Sequence, residues 1–297
     1  MAIPSSPLTA ALVVMAISGR LVAMDRITRP PSASPRPKRR SRASVVAERL
    51  TPAIQTAAAA TQKIAAAATI GSPVNMALGY FLVGERWVVL DVGETLIDET
   101  RIWSVWADEL GVPRLTFMAA LGAVIDRTGD HRHVFGLLGF PDWRDHYPAV
   151  TAAYGGFRED DLYPDALPAA RALDDEGYRV AILANQPVSR TLELRALGFA
   201  PDVMAMSDEL GLAKPDPEFF RRALALMGDA PASSVAYVGD RIDNDVVPAL
   251  AVGMRAVWLR RGPWGVIQEP SPGAEPTLTV ASLTEMVERI GEAWPTD

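Results

Sequence analysis

Cysteine is absent from the 297-residue chain, and histidine and lysine occur three times each. Without cysteine the protein has no disulfide bonds, thiolate metal ligands or cysteine nucleophile, although this absence does not identify a compartment. All three histidines fall within residues 98–162. A hydrolase built on a Ser-His-Asp or Cys-His group is therefore poorly supported.

Long apolar runs and dinucleotide-binding glycines are also missing. The apolar run at residues 8–18 is too short to cross a bilayer. It lacks the basic residues that open a signal peptide, so it is at most a weak signal-peptide candidate. The first predicted strand leads into DVGETL rather than G-x-G-x-x-G, which argues against a nucleotide-dependent oxidoreductase. We expect no membrane partner and a cytoplasmic location.

Positive charge is concentrated at the start of the chain. Residues 1–75 contain ten Lys/Arg and two Asp/Glu, whereas the remainder carries a net charge of −15 and the whole chain −7. An acidic body argues against nucleic acid as a partner of the folded core. The Pro/Ser/Arg-rich segment 29–42 and the alanine-rich segment 57–73 predict a disordered tail over residues 1–75. A chain beginning near Met76 is expected to fold.

After this tail, short apolar runs alternate with amphipathic segments. The runs lie at residues 87–92, 179–185, 202–206, 235–240 and 255–260. Helical spacing of apolar residues marks 166–177 and 217–228, and Ser282 with Glu285 forms a capping-box pattern at the last helix. The alternation predicts a doubly wound, mainly parallel α/β sheet (Rossmannoid), in which ligands bind beyond the carboxyl ends of the strands.

The interval between the first two predicted strands is longer than one crossover helix requires. It spans about 85 residues, of which residues 98–162 look mostly helical and hold Trp103, Trp106 and the three histidines. We predict a helical cap over residues 98–162. The α/β core is then formed by residues 85–97 and 163–297.

Polar side chains follow the predicted strands where a parallel sheet would bring their ends together. Asp91 ends the first strand, Asp240 ends the fourth, and Asp245 follows in GDRIDND. Crowded carboxylates need a cation, and a set of oxygen ligands suits Mg²⁺. Lys214, ahead of the fourth strand, is the single lysine after residue 75, beside eighteen arginines. We therefore expect that position 214 requires a compact ammonium, to hold a carboxylate ionised or to bind a substrate oxyanion.

These residues, in this order, resemble the haloacid dehalogenase (HAD) superfamily of hydrolases over roughly residues 85–292. Four segments carry the resemblance: VVLDVGETL, AILANQ, GLAKPDPEFF and VGDRIDND. The long interval lies where members with a helical cap between the first two motifs carry that cap. The resemblance implies a HAD-like core with an inserted cap.

The resemblance also implies a reaction. Asp91 is the implied nucleophile, which forms an aspartyl phosphate that water then hydrolyses. Mg²⁺ is implied at Asp91, the backbone carbonyl of Gly93, Asp240 and, directly or through water, Asp245. Lys214 would pair with Asp91 and with the transferring group. The implied partner is a small phosphorylated substrate, which cap residues select by closing over the site.

Two positions depart from the family pattern: Ala184, where the family carries a phosphate-binding Ser/Thr, and Gly93, where it usually carries a proton-donating Asp. Thr95 stands at the threonine of the first motif, but the Ser/Thr of the second is Ala184, with Asn185 following. Thr95, Asn185 and Lys214 are therefore the candidate phosphate-binding residues.

Gly93 stands where phosphatases of this family usually carry a second Asp, which protonates the leaving oxygen and later activates water. General acid–base catalysis contributes about 10²–10⁴-fold. Glu94 and the cap residue His131 are candidate substitutes, and Gly93→Asp is expected to raise phosphatase activity.

We consider three alternatives to a phosphatase. A HAD-like module that binds a phosphorylated ligand with little or no turnover remains open. A dehalogenase would not need Mg²⁺, whereas GDRIDND supplies a full acidic pair, which argues against a dehalogenase. A phosphonate hydrolase resembling this family would use a cap lysine, and residues 98–162 contain no lysine.

Overall fold

The computed structural model describes residues 85–295, which form a six-stranded parallel sheet with helices on both faces. The strands are β1 (Trp87–Leu90), β2 (Arg179–Ala184), β3 (Val203–Met206), β4 (Val235–Gly239), β5 (Arg255–Leu259) and β6 (Leu278–Val280). Their order in the sheet is β3-β2-β1-β4-β5-β6, and every neighbouring pair is parallel. The winding therefore reverses between β1 and β4, which is where doubly wound sheets bind ligands.

β1 occupies the middle of the sheet and is buried on both faces. Val88 and Leu90 belong to the core on one face, whereas Trp87 and Val89 belong to the core on the other. Because successive side chains of a strand point to opposite faces, a strand covered on both sides reads as a continuous apolar run. Full burial of a side chain of this size stabilises the fold by about 1.5–3 kcal/mol.

Eleven α-helices lie within residues 85–295. They are α1 (Thr100–Glu109), α2 (Arg114–Thr128), α3 (His133–Leu137), α4 (Tyr147–Tyr154), α5 (Ala166–Asp175), α6 (Ser189–Ala196), α7 (Ser207–Leu210), α8 (Pro217–Leu226), α9 (Val247–Ala251), α10 (Gly262–Ile267) and α11 (Leu283–Arg289). Helices α5 and α11 cover the face that holds Val88 and Leu90, and α8 and α9 cover the opposite face.

Helices α1 to α4 lie between β1 and β2, within residues 98–162, which we term the helical insertion. They bury an aromatic core of their own, in which the Trp143 ring lies 5.6 Å from Trp106 and stacks 4.5 Å from Phe135. Trp264 of α10 belongs to the same core. The insertion therefore packs against the rest of the molecule through α10.

The predicted alternation of strands and helices is confirmed. All five predicted strands are present, with ends that differ from the prediction by at most two residues. The Ser282 side chain accepts a hydrogen bond from the Glu285 backbone at 3.0 Å, as the capping pattern predicts. β6 was not predicted, since three residues are too short a run to stand out. Among residues 85–295, no helix has the length and apolar character that a membrane crossing requires. The predicted tail, residues 1–75, lies outside the described residues.

Candidate active site

Three carboxylates meet beyond the ends of β1 and β4, where the winding of the sheet reverses. Asp91 directly follows β1 and Asp240 directly follows β4, while Asp245 lies in the π-helical turn Ile242–Val246. One carboxylate oxygen of each residue lies within 4.8 Å of the other two, and all three residues are buried. The structure thus brings together the three acids that the sequence indicated.

Lys214 reaches the same point from the loop between α7 and α8. Its Nζ lies 2.8 Å from Asp91 Oδ1 and 2.5 Å from Asp245 Oδ1, and the side chain is 1% exposed. The Asn185 side chain holds the main chain of Lys214, donating to its carbonyl and accepting from its amide at 2.8 Å each. A compact ammonium can bridge two carboxylates in this way because its three donors rotate freely.

We term Asp91, Lys214, Asp240 and Asp245 the sheet-edge cluster. Burial raises the pKa of Asp91 to about 6, with Lys214 opposing the rise and Asp245 adding to it. Burial, Asp245 and Asp91 raise the pKa of Asp240 well above its ordinary value. Burial alone would lower the pKa of Lys214, but the attraction of Asp245 and Asp91 raises it above its ordinary value. Lys214 is therefore an ammonium at neutral pH, and the crowded carboxylates favour a further cation.

Gly239, the last residue of β4, allows the Asp245 carboxylate to lie against the strand. A Cβ atom at position 239 would collide with that carboxylate. The Arg241 backbone N–H donates to Asp245 Oδ2 at 3.0 Å, and Trp258 Nε1 donates to the Asp240 carbonyl at 3.0 Å. The glycine in VGD thus has a steric reason, and hydrogen bonds fix the acids on either side of the turn.

The turn after Asp91 brings two glutamates to the cavity. Glu94 has a left-handed backbone with φ 51°. Its Oε1 accepts from the Glu99 backbone at 3.0 Å, and its Oε2 accepts from the Tyr163 hydroxyl at 2.5 Å. Glu99 immediately precedes α1, and its carboxyl lies beside Gly93. Burial, then the charges of Glu94 and Asp91, raise the pKa of Glu99 to about 8, which favours its protonated form at neutral pH.

Glu99 is a site residue that the sequence interpretation missed. It lies eight residues after Asp91, outside the four segments that carry the family resemblance. The signal in the sequence was indirect, since Gly93 indicates that an acid is missing but not which residue replaces it. Only the path of the chain into α1 brings the Glu99 carboxyl back to this position.

The helical insertion and α10, the helix that follows β5, form the other side of the cavity. The His131 ring lies edge-on to Trp103 and Trp264, with centroids 5.4 and 5.7 Å away. Burial, then the charge of Arg241, lower the pKa of His131 to about 4, so the ring is neutral at neutral pH. His131 Nδ1 and Trp264 Nε1 are buried and have no hydrogen-bond partner among the described residues. Both nitrogens belong to residues that line the cavity, so both are candidates for contact with a ligand.

The predicted phosphate-binding residues lie in different settings. Lys214 and Asn185 line the cavity together with Asp91. Thr95 is fully buried, and its hydroxyl has no hydrogen-bond partner within residues 85–295. Its backbone carbonyl instead accepts a hydrogen bond from Arg261 at 3.1 Å. Lys214 and Asn185 are therefore better placed than Thr95 to meet a ligand in the cavity.

A profile of the haloacid dehalogenase-like hydrolase family matches residues 85–253 of the chain. This match covers more than half of the sequence. It includes β1 to β4, the helical insertion and every residue of the sheet-edge cluster.

Two curated relatives are phosphatases. The chain is 37% identical over 128 residues to a phosphoserine phosphatase of Thermus thermophilus, covering 42% of this chain and 49% of that protein. It is 31% identical over 134 residues to a glyceraldehyde 3-phosphate phosphatase of Methanopyrus kandleri, covering 44% and 57%. The chain thus spans about half the length of these relatives.

A solved structure of an L-2-haloacid dehalogenase matches with a TM-score of 0.55 and 18% identity, over 70% of this chain and 99% of that chain. At this identity the likeness shows the fold alone. The reaction has to be argued from the residues of the site.

Proposed function

The chain belongs to the haloacid dehalogenase-like hydrolase family, and on that premise we propose that it is a Mg²⁺-dependent phosphatase of small phosphate esters. The observation that carries the proposal is the sheet-edge cluster. It pairs Asp91 with a buried ammonium, Lys214, beside two further buried carboxylates. The names of the two curated relatives support the same reaction class.

The donor set of the sheet-edge cluster fits Mg²⁺. Asp91, Asp240 and Asp245 offer three carboxylate oxygens within 4.8 Å of one another, and oxygen ligands are those that Mg²⁺ prefers. Asp240 Oδ2 is buried and has no hydrogen-bond partner within the described part of the chain. Such an oxygen costs free energy unless a donor or a cation meets it.

We assign the metal to these three side chains and to the backbone carbonyl of Gly93, which lines the same cavity. When bound there, Mg²⁺ would neutralise charge on the phosphoryl oxygens.

Asp91 is the proposed nucleophile. A pKa of about 6 leaves its carboxylate mainly ionised at neutral pH. Lys214 orients that carboxylate through the 2.8 Å contact and places a positive charge where a phosphoryl group would sit. Attack on phosphorus gives an aspartyl phosphate, which water hydrolyses. Asn185 keeps Lys214 in place by holding its main chain.

We further propose that the helical insertion acts as a cap that selects the substrate. Arg241, beside the sheet-edge cluster, donates to the carbonyl of Gly129 at the end of α2 at 3.2 Å, which joins the two sides of the cavity. The insertion presents the neutral ring of His131, and α10 presents the Trp264 indole. These groups suit a small polar substrate.

A panel of phosphate esters, assayed with and without Mg²⁺, tests the proposal. It includes phosphoserine, glyceraldehyde 3-phosphate and p-nitrophenyl phosphate. We expect Mg²⁺-dependent turnover that falls by about 10⁴-fold or more in Asp91→Asn, since a catalytic nucleophile is lost. The control is Asp108→Asn, because Asp108 lies on the surface of the insertion with its side chain 52% exposed. Asp91→Asn activity equal to that of the wild type would contradict the assignment.

A second function, a phosphate-ligand binding module with little turnover, is favoured by the absence of polar side chains at Gly93 and Ala184. In that case calorimetry would show binding of phosphate or of a phosphate ester without hydrolysis. Asp91→Asn would then change affinity alone. The same panel therefore separates the two functions.

A further inference from the structure

Gly93 leaves an empty side-chain position beside the nucleophile, and the carboxyl of another residue fills it. An ideal Cβ atom on Gly93 would lie 2.5 Å from Glu99 Oε1 and 3.0 Å from Glu99 Cδ. The Glu99 carboxyl therefore stands in the space that a side chain at position 93 would use. The family resemblance places the acid of the reaction at this same position.

We propose that Glu99 is the proton donor and acceptor of the reaction, replacing from the helical insertion the acid that position 93 lacks. This inference rests on the proposed phosphatase function. It differs from that proposal in naming the group that protonates the leaving oxygen.

The other acids of the cavity have different tasks. Asp91, Glu94, Glu99 and Asp240 are the carboxylates that line it within residues 85–295. Asp91 is the nucleophile and Asp240 is assigned to the metal. Glu94 has both carboxylate oxygens engaged, with the Glu99 backbone and with Tyr163. Glu99 is the remaining acid.

Glu94 acts as a positioning residue for Glu99. It accepts from the Glu99 backbone N–H at 3.0 Å, and the Tyr163 hydroxyl fixes the second oxygen of Glu94 at 2.5 Å. A Cβ atom at Gly262 would collide with the Glu94 side chain, so glycine is needed there for the close approach. These contacts tie the start of α1 to the turn after Asp91 and hold the Glu99 carboxyl beside Gly93.

The proposed proton transfers balance over the two steps. In the first, an Asp91 oxygen bonds to phosphorus while the bond from phosphorus to the ester oxygen breaks, and that oxygen takes the Glu99 proton. In the second, the Glu99 carboxylate takes a proton from water, whose oxygen bonds to phosphorus as the bond to Asp91 breaks. Inorganic phosphate leaves, and both side chains return to their initial states.

Glu99→Gln keeps the size of the side chain and removes its acid, so burst kinetics give a specific test. For an alkyl phosphate we expect kcat to fall by about 10²–10⁴-fold. For p-nitrophenyl phosphate the leaving group needs no proton, so the first step should persist while hydrolysis of the aspartyl phosphate slows. We expect a burst of about one nitrophenolate per active site, followed by slow turnover.

Glu109→Gln is the matched control, since Glu109 lies at the other end of α1 and contacts His146 near the surface. It should show wild-type kcat and no new burst. A general defect in folding or substrate binding in Glu99→Gln would instead lower burst and steady-state rates together, and that result would overturn the inference.

A second pair of variants tests whether the Glu99 carboxyl and a side chain at position 93 would occupy the same space. Glu99→Ala should lose activity, and adding Gly93→Asp to it should restore about 10-fold or more, because Asp then occupies the vacated space. Failure of this restoration, or wild-type kcat in Glu99→Gln, would overturn the role of Glu99 while the Asp91→Asn result still supports a phosphatase. A wild-type protein that hydrolyses none of the esters would overturn both proposals.

Discussion

The sheet-edge cluster and the helical insertion face each other across one cavity, yet they are built from different chemistry. At the sheet edge, charged residues converge because parallel strands end together, and Lys214 pairs with Asp91 and Asp245. The insertion buries aromatic rings and offers a neutral imidazole, His131, and one carboxyl, Glu99. The proposed nucleophile, Asp91, and the ammonium of Lys214 thus lie at the edge of the sheet, whereas proton transfer and substrate choice are proposed for the helical insertion.

Lys214→Met should break the sheet-edge cluster most severely. It removes the ammonium that lies 2.8 and 2.5 Å from two buried carboxylates. We expect a loss of about 3–5 kcal/mol in the free energy of unfolding, measured by urea denaturation at pH 7, because a buried charge is left without its partner. Arg221→Met is the control, since its ion pair with Glu218 is exposed and should contribute less than about 1 kcal/mol. Equal losses in the two variants would show that Lys214 is not a buried counter-ion.

The same comparison explains what the sequence could predict. Asp91 and Asp240 directly follow apolar runs, and Asp245 lies five residues after Asp240. Because parallel strands end at one edge of the sheet, these local patterns were sufficient. A functional role for Lys214 could be inferred because it is the single lysine after residue 75, where the chain otherwise uses arginine. Glu99 could not be found in this way, because its approach to Gly93 depends on how the chain enters α1. Trp264 likewise joins the core of the insertion only through tertiary packing.

Gly93→Ala should have a smaller effect than Lys214→Met, because it displaces the Glu99 carboxyl and leaves the sheet-edge cluster in place. The added Cβ would lie 2.5 Å from Glu99 Oε1, so the Glu99 carboxyl must move. The atoms that must move are at the far end of the Glu99 side chain, so we expect little loss in the free energy of unfolding. We expect kcat to fall while the Asp91–Lys214 pair remains in place. Gly93→Asp also displaces Glu99 but supplies its own acid. Its kcat should therefore exceed that of Gly93→Ala, rather than that of the wild type as the sequence alone suggests. Higher kcat in Gly93→Ala than in the wild type would contradict the contact.

The smallest expected effect concerns the ion pair that anchors α1, Arg101 with Asp161. Arg101 Nε donates to Asp161 Oδ1 at 2.7 Å, and its other nitrogens donate to the carbonyls of Tyr154 and Gly156 at 2.7 and 2.6 Å. Burial of Asp161 opposes ionisation, but the hydrogen bond from Arg101 holds its pKa below the ordinary value. The pair therefore joins the first helix of the insertion to the segment that returns to the sheet.

Because the pKa of Asp161 is lower in the folded than in the unfolded chain, its stabilisation is present above the unfolded value, about 3.9, and is lost as pH falls through the folded value. We expect the difference in free energy of unfolding between the wild type and Asp161→Asn to be constant from pH 7 to pH 5 and to shrink below pH 4. Urea denaturation across this range measures it. Asp108→Asn, which alters an exposed pair with Arg114, should show a difference near zero throughout. A difference for Asp161→Asn that stays constant down to pH 3 would mean that the ionised carboxylate does not anchor α1.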